Sequence, residues 1–358
     1  MALILGIETS CDETSDAIVE EGCRVLSNAV ASQIRQHAPY GGVVPELAAR
    51  EHLKAMRPIV EQALKDAGKS MADINAIAAT NGPGLMPALL VGVNFAKGLA
   101  AANALPFIGI NHFIAHIYAT FLDSGIERLK DPALYPMLAL VVSGGHTALV
   151  MIDAAGQARL VGTTIDDAAG EALDKASKLL GLGYPGGPII EKTGGKGNPA
   201  AYHFPRPLCG GAGKPVTEEH KYNFSFSGIK TSLLYHCQKL GGPEIKLPEQ
   251  EFYDTVASFQ EAVIDVLVRK TLSAAKDFRA ASIVLAGGVA CNGVLRQRLE
   301  ELTPKNIQLF LSPRKYCTDN AAMVAGLAWH HLRLGMTDSL SLDAFARLPQ
   351  LTQVPFNR

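Results

Sequence analysis

Short runs of apolar and β-branched residues open the chain at 2–8, 15–20 and 23–31, and each predicts a strand. A helix is predicted over 44–67, where Leu47, Leu53, Ile59, Val60 and Leu64 fall at helix-like spacing. Then follow a strand at 74–79, a helix at 87–103, a strand at 106–110 and a helix from Phe113. The pattern starts again at Met137. Three strands (137–145, 147–154, 158–165) precede a helix at 167–182 and a longer helical region. A strand at 282–287, a helix at 293–302, a strand at 307–312 and a helix at 319–334 complete it. The order β-β-β-α-β-α-β-α thus occurs twice, as a repeat of elements without a visible repeat of residues.

This order predicts an α/β protein of two lobes. The first spans 1–135, and the second spans 136–335 with a Gly/Pro-rich and helical insertion at about 183–250; a tail, 336–358, follows. Two such lobes are expected to form a central cleft, and ligands bind preferentially between domains. Within the insertion, 183–222 is expected to be a long loop, and loops of that length are usually functional or mobile.

Two turns take equivalent places after the first strand of each half. One is Gly6-Ile7-Glu8-Thr9-Ser10-Cys11-Asp12-Glu13-Thr14-Ser15, the other Val142-Ser143-Gly144-Gly145-His146-Thr147. Backbone amides and hydroxyls on such hairpins can approach a phosphate, and glycine removes the Cβ atoms that would block it. A third cluster, 285–292, joins a strand to a helix and ends on Asn292, which suits an adenosine or ribose. In the acidic opening of the helix at 167–182, Asp174 is the residue placed to meet a ribose hydroxyl.

His112 and His116 lie one helical turn apart on one face, a geometry suited to two imidazoles on one metal. Polar surface is the other reading of such a pair. Asn111 is a candidate N-cap. The residues between them are Phe113, Ile114 and Ala115, so the Glu of a metalloprotease H-E-x-x-H motif is missing. Asp319 is the candidate third ligand, with a helix N-cap as its alternative role. Two His and one carboxylate suit iron, zinc or manganese.

Composition narrows the class further. The chain has 358 residues, 48% hydrophobic and 19% charged, long enough for more than one core. No run has a membrane-spanning length without Gly, Pro or charge, and the start lacks the pattern of a signal peptide. The six cysteines are scattered without a CxxC pair, which predicts reduced thiols in the cytosol. The formal net charge of −1 means that nucleic-acid binding would need a local basic face or a partner.

The blocks GIETSCDETS (6–15), PYGGVVPELAAREH (39–52), NGPGLMPALLVG (81–92), NHFIAH (111–116) and VVSGGHT (141–147) resemble those of the bacterial tRNA N6-adenosine threonylcarbamoyltransferase family, formerly labelled glycoprotease. So do DDAAGEALDKASKLLGLGYPGGP (166–188), FSFSGIKT (224–231), AGGVACN (286–292) and CTDNAAM (317–323), in the same order. The resemblance implies an actin-like ATPase (sugar kinase-like) fold. It also implies transfer of threonylcarbamoyl from threonylcarbamoyl-AMP to N6 of the adenosine 3′ of the anticodon, in tRNAs reading ANN codons. It implies one divalent metal, iron or zinc, on His112, His116 and Asp319, and an adenylate site of Val141, Val142, Ser143, Gly144, Gly145, Asp174, Gly187 and Asn292. Implied partners are tRNA, an inactive paralogue forming a heterodimer, a small P-loop ATPase and a separate synthase of the activated intermediate, all cytoplasmic. Asp12, Glu13 or a phosphate of the substrate are the candidate proton acceptors. A metalloprotease and a non-catalytic nucleotide-binding scaffold are the rival readings.

Overall fold

The computed structural model describes residues 1–123, 125–210, 216–240, 248–347 and 351–357. In the first half the elements are β1 (Leu3–Glu8), β2 (Glu13–Glu20), β3 (Arg24–Ser32), α1 (Ile34–His37), α2 (Pro45–Ala67), β4 (Ala76–Gly82), α3 (Met86–Asn103), β5 (Phe107–Asn111) and α4 (His112–Ala119). Next come β6 (Met137–Val142), β7 (Thr147–Ile152), β8 (Gln157–Thr163), α5 (Ala169–Leu179) and α6 (Gly186–Gly194). The last are α7 (Ser227–Lys239), α8 (Glu249–Asp277), β9 (Ser282–Ala286), α9 (Gly293–Leu302), β10 (Gln308–Leu311) and α10 (Ala321–Arg333).

One sheet runs β3-β2-β1-β4-β5, and the other carries its counterpart strands in the matching order β8-β7-β6-β9-β10. In each, the first two strands form an antiparallel hairpin and the next is added in parallel. The expected repeat of elements is therefore a repeat of topology.

Two compact units result. One comprises Met1–Leu134, Asp153–Ala158 and Ser312–Arg358, the other Tyr135–Ile152 and Arg159–Leu311. This division differs from the halves expected at 135/136, because α10 packs on the first sheet, against β1, β2 and β4. Alternation along β2 shows how the sheet is covered on both faces. Thr14 turns to α2, where its hydroxyl meets His52 Nδ1 at 2.8 Å. Its neighbour Ser15 turns to α10, accepting from Ala321 N at 2.9 Å. A Cβ on Gly6 would stand 2.6 Å from Ala321 O, so the close seat of α10 on β1 requires glycine there.

Two expectations need correction. On α2 the buried stripe is Ala48, His52, Met56, Val60 and Ala63, whereas Leu53 is 67% exposed. An imidazole reads as polar in sequence but is buried here by hydrogen bonds. Within the expected loop at 183–222, Gly186–Gly194 is helical. The parts of the insertion at 211–215 and 241–247 lie outside the described residues, as do 348–350 and 358 of the tail.

Candidate metal centre and nucleotide-binding turns

All of α4 is buried, and Asn111 caps it as expected, accepting from Phe113 N at 3.0 Å and Ile114 N at 3.2 Å. The cap and the following turn set His112 and His116 side by side, ring centroids 4.5 Å apart. Both point Nε2 at Asp319 Oδ1, at 3.6 Å from His112 and 3.1 Å from His116. One ligand atom from each of the three residues lies within 4.8 Å of the others. Asp319 is not the N-cap of α10: Asn320 takes that role, accepting from Met323 N at 3.1 Å. Ties between the residues just after α4 and the 312–319 segment hold this distant candidate ligand in place. Thr120 Oγ1 meets Ser312 Oγ at 2.5 Å, and Tyr316 donates its hydroxyl to Asp123 Oδ2 at 2.6 Å.

Sequence reading missed Glu8. Fully buried at the end of β1, it accepts from Ser10 N on Oε1 (2.6 Å) and from Thr80 Oγ1 on Oε2 (2.5 Å). Oε2 also faces His112 Nδ1 at 3.2 Å, as does Ser10 Oγ at the same distance. A carboxylate on Nδ1 fixes the imidazole's orientation and turns Nε2 to the ligand position, the common support of metal-bound histidines. The only sequence signal for it was a charged residue ending an otherwise apolar strand. Because both its oxygens are engaged, Glu8 does not replace the general base that the H-x-x-x-H spacing lacks.

Electrostatics fit an ion. Burial opposes charge on His112, but Glu8 and Asp319 outweigh it and hold the imidazole at about 9. Burial and the neighbouring His112 push His116 below its ordinary value. Hence, without metal, the site keeps one proton between two carboxylates and two imidazoles, a position a divalent cation can take over. The His116 Nδ1 is buried with no hydrogen-bond partner among the described residues, so this ring acts through Nε2. Close by, burial first and then Asp12 and Asp319 push the Glu13 carboxyl well above the ordinary range. Ser32 Oγ donates to it at 3.2 Å, and Asp12 is buried.

The adenylate candidates all belong to the second unit. Val141 and Val142 end β6, and the turn beyond closes through Ser143 N donating to His146 O at 2.8 Å. Around Gly144 and Gly145 a Cβ would meet nothing within 4 Å, so their backbone is open. Neighbouring glycines allow close approach from behind. A Cβ on Gly170, in the first turn of α5, would lie 2.5 Å from Ser143 O, and Gly287, at φ 92, packs on Val142. Asp174 accepts from Gly186 N at 2.6 Å and so anchors the start of α6, beside the open Gly187. Asn292 is engaged within the protein: Oδ1 caps α9 at Leu295 N (3.0 Å) and Nδ2 donates to Gln260 (3.2 Å). The FSFSGIKT block is clamped by Asp166, which accepts from the hydroxyls of Ser225 (2.5 Å) and Ser227 (2.6 Å) and from Phe226 N (2.8 Å).

Comparisons with known proteins agree with this architecture. Residues 24–326 match the family model of tRNA N6-adenosine threonylcarbamoyltransferase. A relative of that name from Trichlorobacter lovleyi is 48% identical, over 97% of this chain and 96% of its own. Another, from Thermomicrobium roseum, is 45% identical over 98% of each chain. Among solved structures, T. kodakarensis HypF superposes with a TM-score of 0.58 at 13% identity, covering 93% of this chain and 48% of its own. Component A of Acidaminococcus fermentans (R)-2-hydroxyglutaryl-CoA dehydratase gives 0.53 at 14% identity, over 92% and 98%. Those two likenesses bear on the fold alone, which is the actin-like ATPase fold with a duplicated α/β unit. The chain belongs to the tRNA N6-adenosine threonylcarbamoyltransferase family.

Proposed function

We propose that this chain transfers the threonylcarbamoyl group from threonylcarbamoyl-AMP to the N6 amine of the adenosine 3′ of the anticodon, in tRNAs reading ANN codons. The observation that carries the reading is the family match across residues 24–326. The substrate amine is a weak nucleophile because its lone pair is delocalised into the purine, so the acyl donor must be activated and well placed. The acyl phosphate supplies the activation, and AMP is its leaving group. Nε2 of His112, Nε2 of His116 and Oδ1 of Asp319 would hold one divalent ion, iron or zinc. When bound, that ion supplies positive charge to polarise an oxygen of the carbamoyl or phosphate group.

The chain's own residues do the rest. Ser143, Gly144 and Gly145, following Val141 and Val142, offer open backbone to the phosphate, while Gly187 and the α6 start anchored by Asp174 would border the nucleoside. Asn292 serves this site by shaping the α9 start. Fixing the adenylate gives the proximity contribution. Asp12 and Glu13 are the proposed acceptors of the N6 proton; burial and like charge raise the Glu13 carboxyl. An adenosine in an anticodon loop is single-stranded and can be splayed out to reach such a site.

With a formal charge of −1, the chain is proposed to share tRNA binding with an inactive paralogue as heterodimer partner and a small P-loop ATPase, in the cytoplasm. A separate synthase would supply the adenylate. Among the described residues, no helix is long and apolar enough to cross a membrane.

The test is mass analysis of nucleosides from tRNA incubated with this protein, its partners, threonine, bicarbonate and ATP. N6-threonylcarbamoyladenosine that vanishes with His112→Ala is the expected outcome. No modified nucleoside from the metal-loaded wild-type protein would overturn the reading, and metal-dependent cleavage of a peptide instead would favour the protease.

A further inference from the structure

The function just proposed gives no task to the PYGGVVPELAAREH block, yet the block ends on a buried imidazole that reaches back to the metal centre. His52 Nε2 donates to Cys11 O at 3.0 Å. Two neighbouring carbonyls of that turn are held by backbone: Ser10 O by Leu85 N at 2.8 Å and Asp12 O by Gln33 N at 3.0 Å. The carbonyl between them is therefore the one gripped by a side chain. The same turn carries Ser10, on His112, and Asp12.

Behind His52 the hydrogen bonds continue in one direction. Its Nδ1 accepts from Thr14 Oγ1 at 2.8 Å and faces Gln33 Nε2 at 3.3 Å. Gln33 Oε1 accepts from His37 Nε2 at 3.1 Å, and His37 Nδ1 accepts from Val44 N at 3.3 Å. Each partner's chemistry fixes the next. A backbone N–H at one end can only donate and a carbonyl at the other can only accept, so both rings are neutral, with the proton on Nε2. Burial pushes both imidazoles below their ordinary value, in keeping with that state. Gln33, His37 and His52 are all buried, whereas Tyr40 of the intervening loop is 60% exposed and a Cβ on Gly42 would meet nothing within 4 Å. A directed chain of buried hydrogen bonds thus runs from an open surface loop to the Ser10–Asp12 turn. Such networks act as units, because loss of one member leaves the next unsatisfied in a low dielectric.

We infer that His52 is a positioning residue which, through Gln33 and His37, couples the Tyr40–Val44 loop to the Ser10–Asp12 turn of the metal centre. The activity arm of its test rests on the proposed transferase reading, but the exchange arm does not.

Amide hydrogen exchange is measured on the full chain with peptides covering 9–14, 41–48 and 88–100, in wild type, Gln33→Met and His37→Phe. Coupling predicts that His37→Phe speeds exchange at the remote 9–14 segment about tenfold, that Gln33→Met does so at both ends, and that 88–100 is unchanged. A response of His37→Phe confined to 41–48 would overturn the inference. In the transferase assay, His52→Phe should lower kcat about tenfold with KM for tRNA unchanged, because a displaced turn misaligns the reacting groups. His52→Gln, whose Nε2 can still donate to Cys11 O, should restore most of the loss. Equal loss in both variants, or loss confined to KM, would count against positioning. A wild-type protein without transferase activity would defeat the functional reading alone, and exchange would still decide the coupling.

Discussion

The two hairpins that open the sheets have the same topology but are built of opposite materials. In the β1–β2 hairpin the chemistry is in side chains: Glu8 is fully buried, Ser10 meets His112, and neighbouring carbonyls are each tied down. In the β6–β7 hairpin the middle is bare backbone, Gly144 and Gly145 exposed with open space where side chains would stand. A cation needs fixed lone pairs, which require side chains and a surrounding network. A phosphate is met by amide N–H groups, which require that side chains be absent. One strand order thus carries two contrasting hairpins, one proposed to serve a cation and the other proposed to serve a phosphate.

The sharpest test of this contrast removes a ligand. His112→Ala or Asp319→Ala should weaken metal binding about a thousandfold, read by metal content after dialysis, while adenylate affinity changes little. Next comes pH. Metal must displace the His112 proton, so apparent metal affinity should fall about tenfold for each pH unit below about 9 and level off above it. That makes roughly a hundredfold between pH 9 and 7, read by competition with a chelator whose own protonation is known, and adenylate binding should lack this slope. Glu8→Gln keeps the shape but weakens the support of His112, and should cost about 10–100-fold in metal affinity with the fold retained by circular dichroism. Smallest is the effect of a single methyl. Gly144→Ala should leave stability within about 0.5 kcal/mol yet raise the KM for the adenylate several-fold, whereas Gly6→Ala, against Ala321 O, should cost about 1–3 kcal/mol in denaturant melts. If both alanines acted on stability alike, the second hairpin would not be the open surface described.

The strands and most helices were legible because their signal is periodic and local. Asn111 as a cap was legible for the same reason: its partners, Phe113 and Ile114, are its next neighbours. What stayed hidden is polar and long-range. His52 is buried with Thr14, Gln33 and Cys11 as its partners, and Glu8 with Ser10, Thr80 and His112. Leu53 shares the apolar spacing of α2 yet is exposed, because spacing alone does not say which face of the helix packs. The choice of Asp319 between ligand and cap was undecidable locally, since aspartate and asparagine both suit that position. The structure gives the cap to Asn320 and sets Asp319 against His116, 203 residues away in sequence, where it stands as a candidate ligand. Membership of α10 in the first unit was hidden for the same reason, since strand order says nothing about which sheet a terminal helix covers.

The Asn320 cap has a consequence for how this centre can fail. A helix start attracts any oxygen within reach, and the carboxylate one residue earlier is a ready substitute if the amide is lost. Asn320→Ala would invite Asp319 to swing toward Met323 N, trading an ion for a helix end. Asn320 Nδ2 also donates to Tyr316 O and Thr318 O, so the variant would loosen this turn and the proposed metal centre would lose its carboxylate with it.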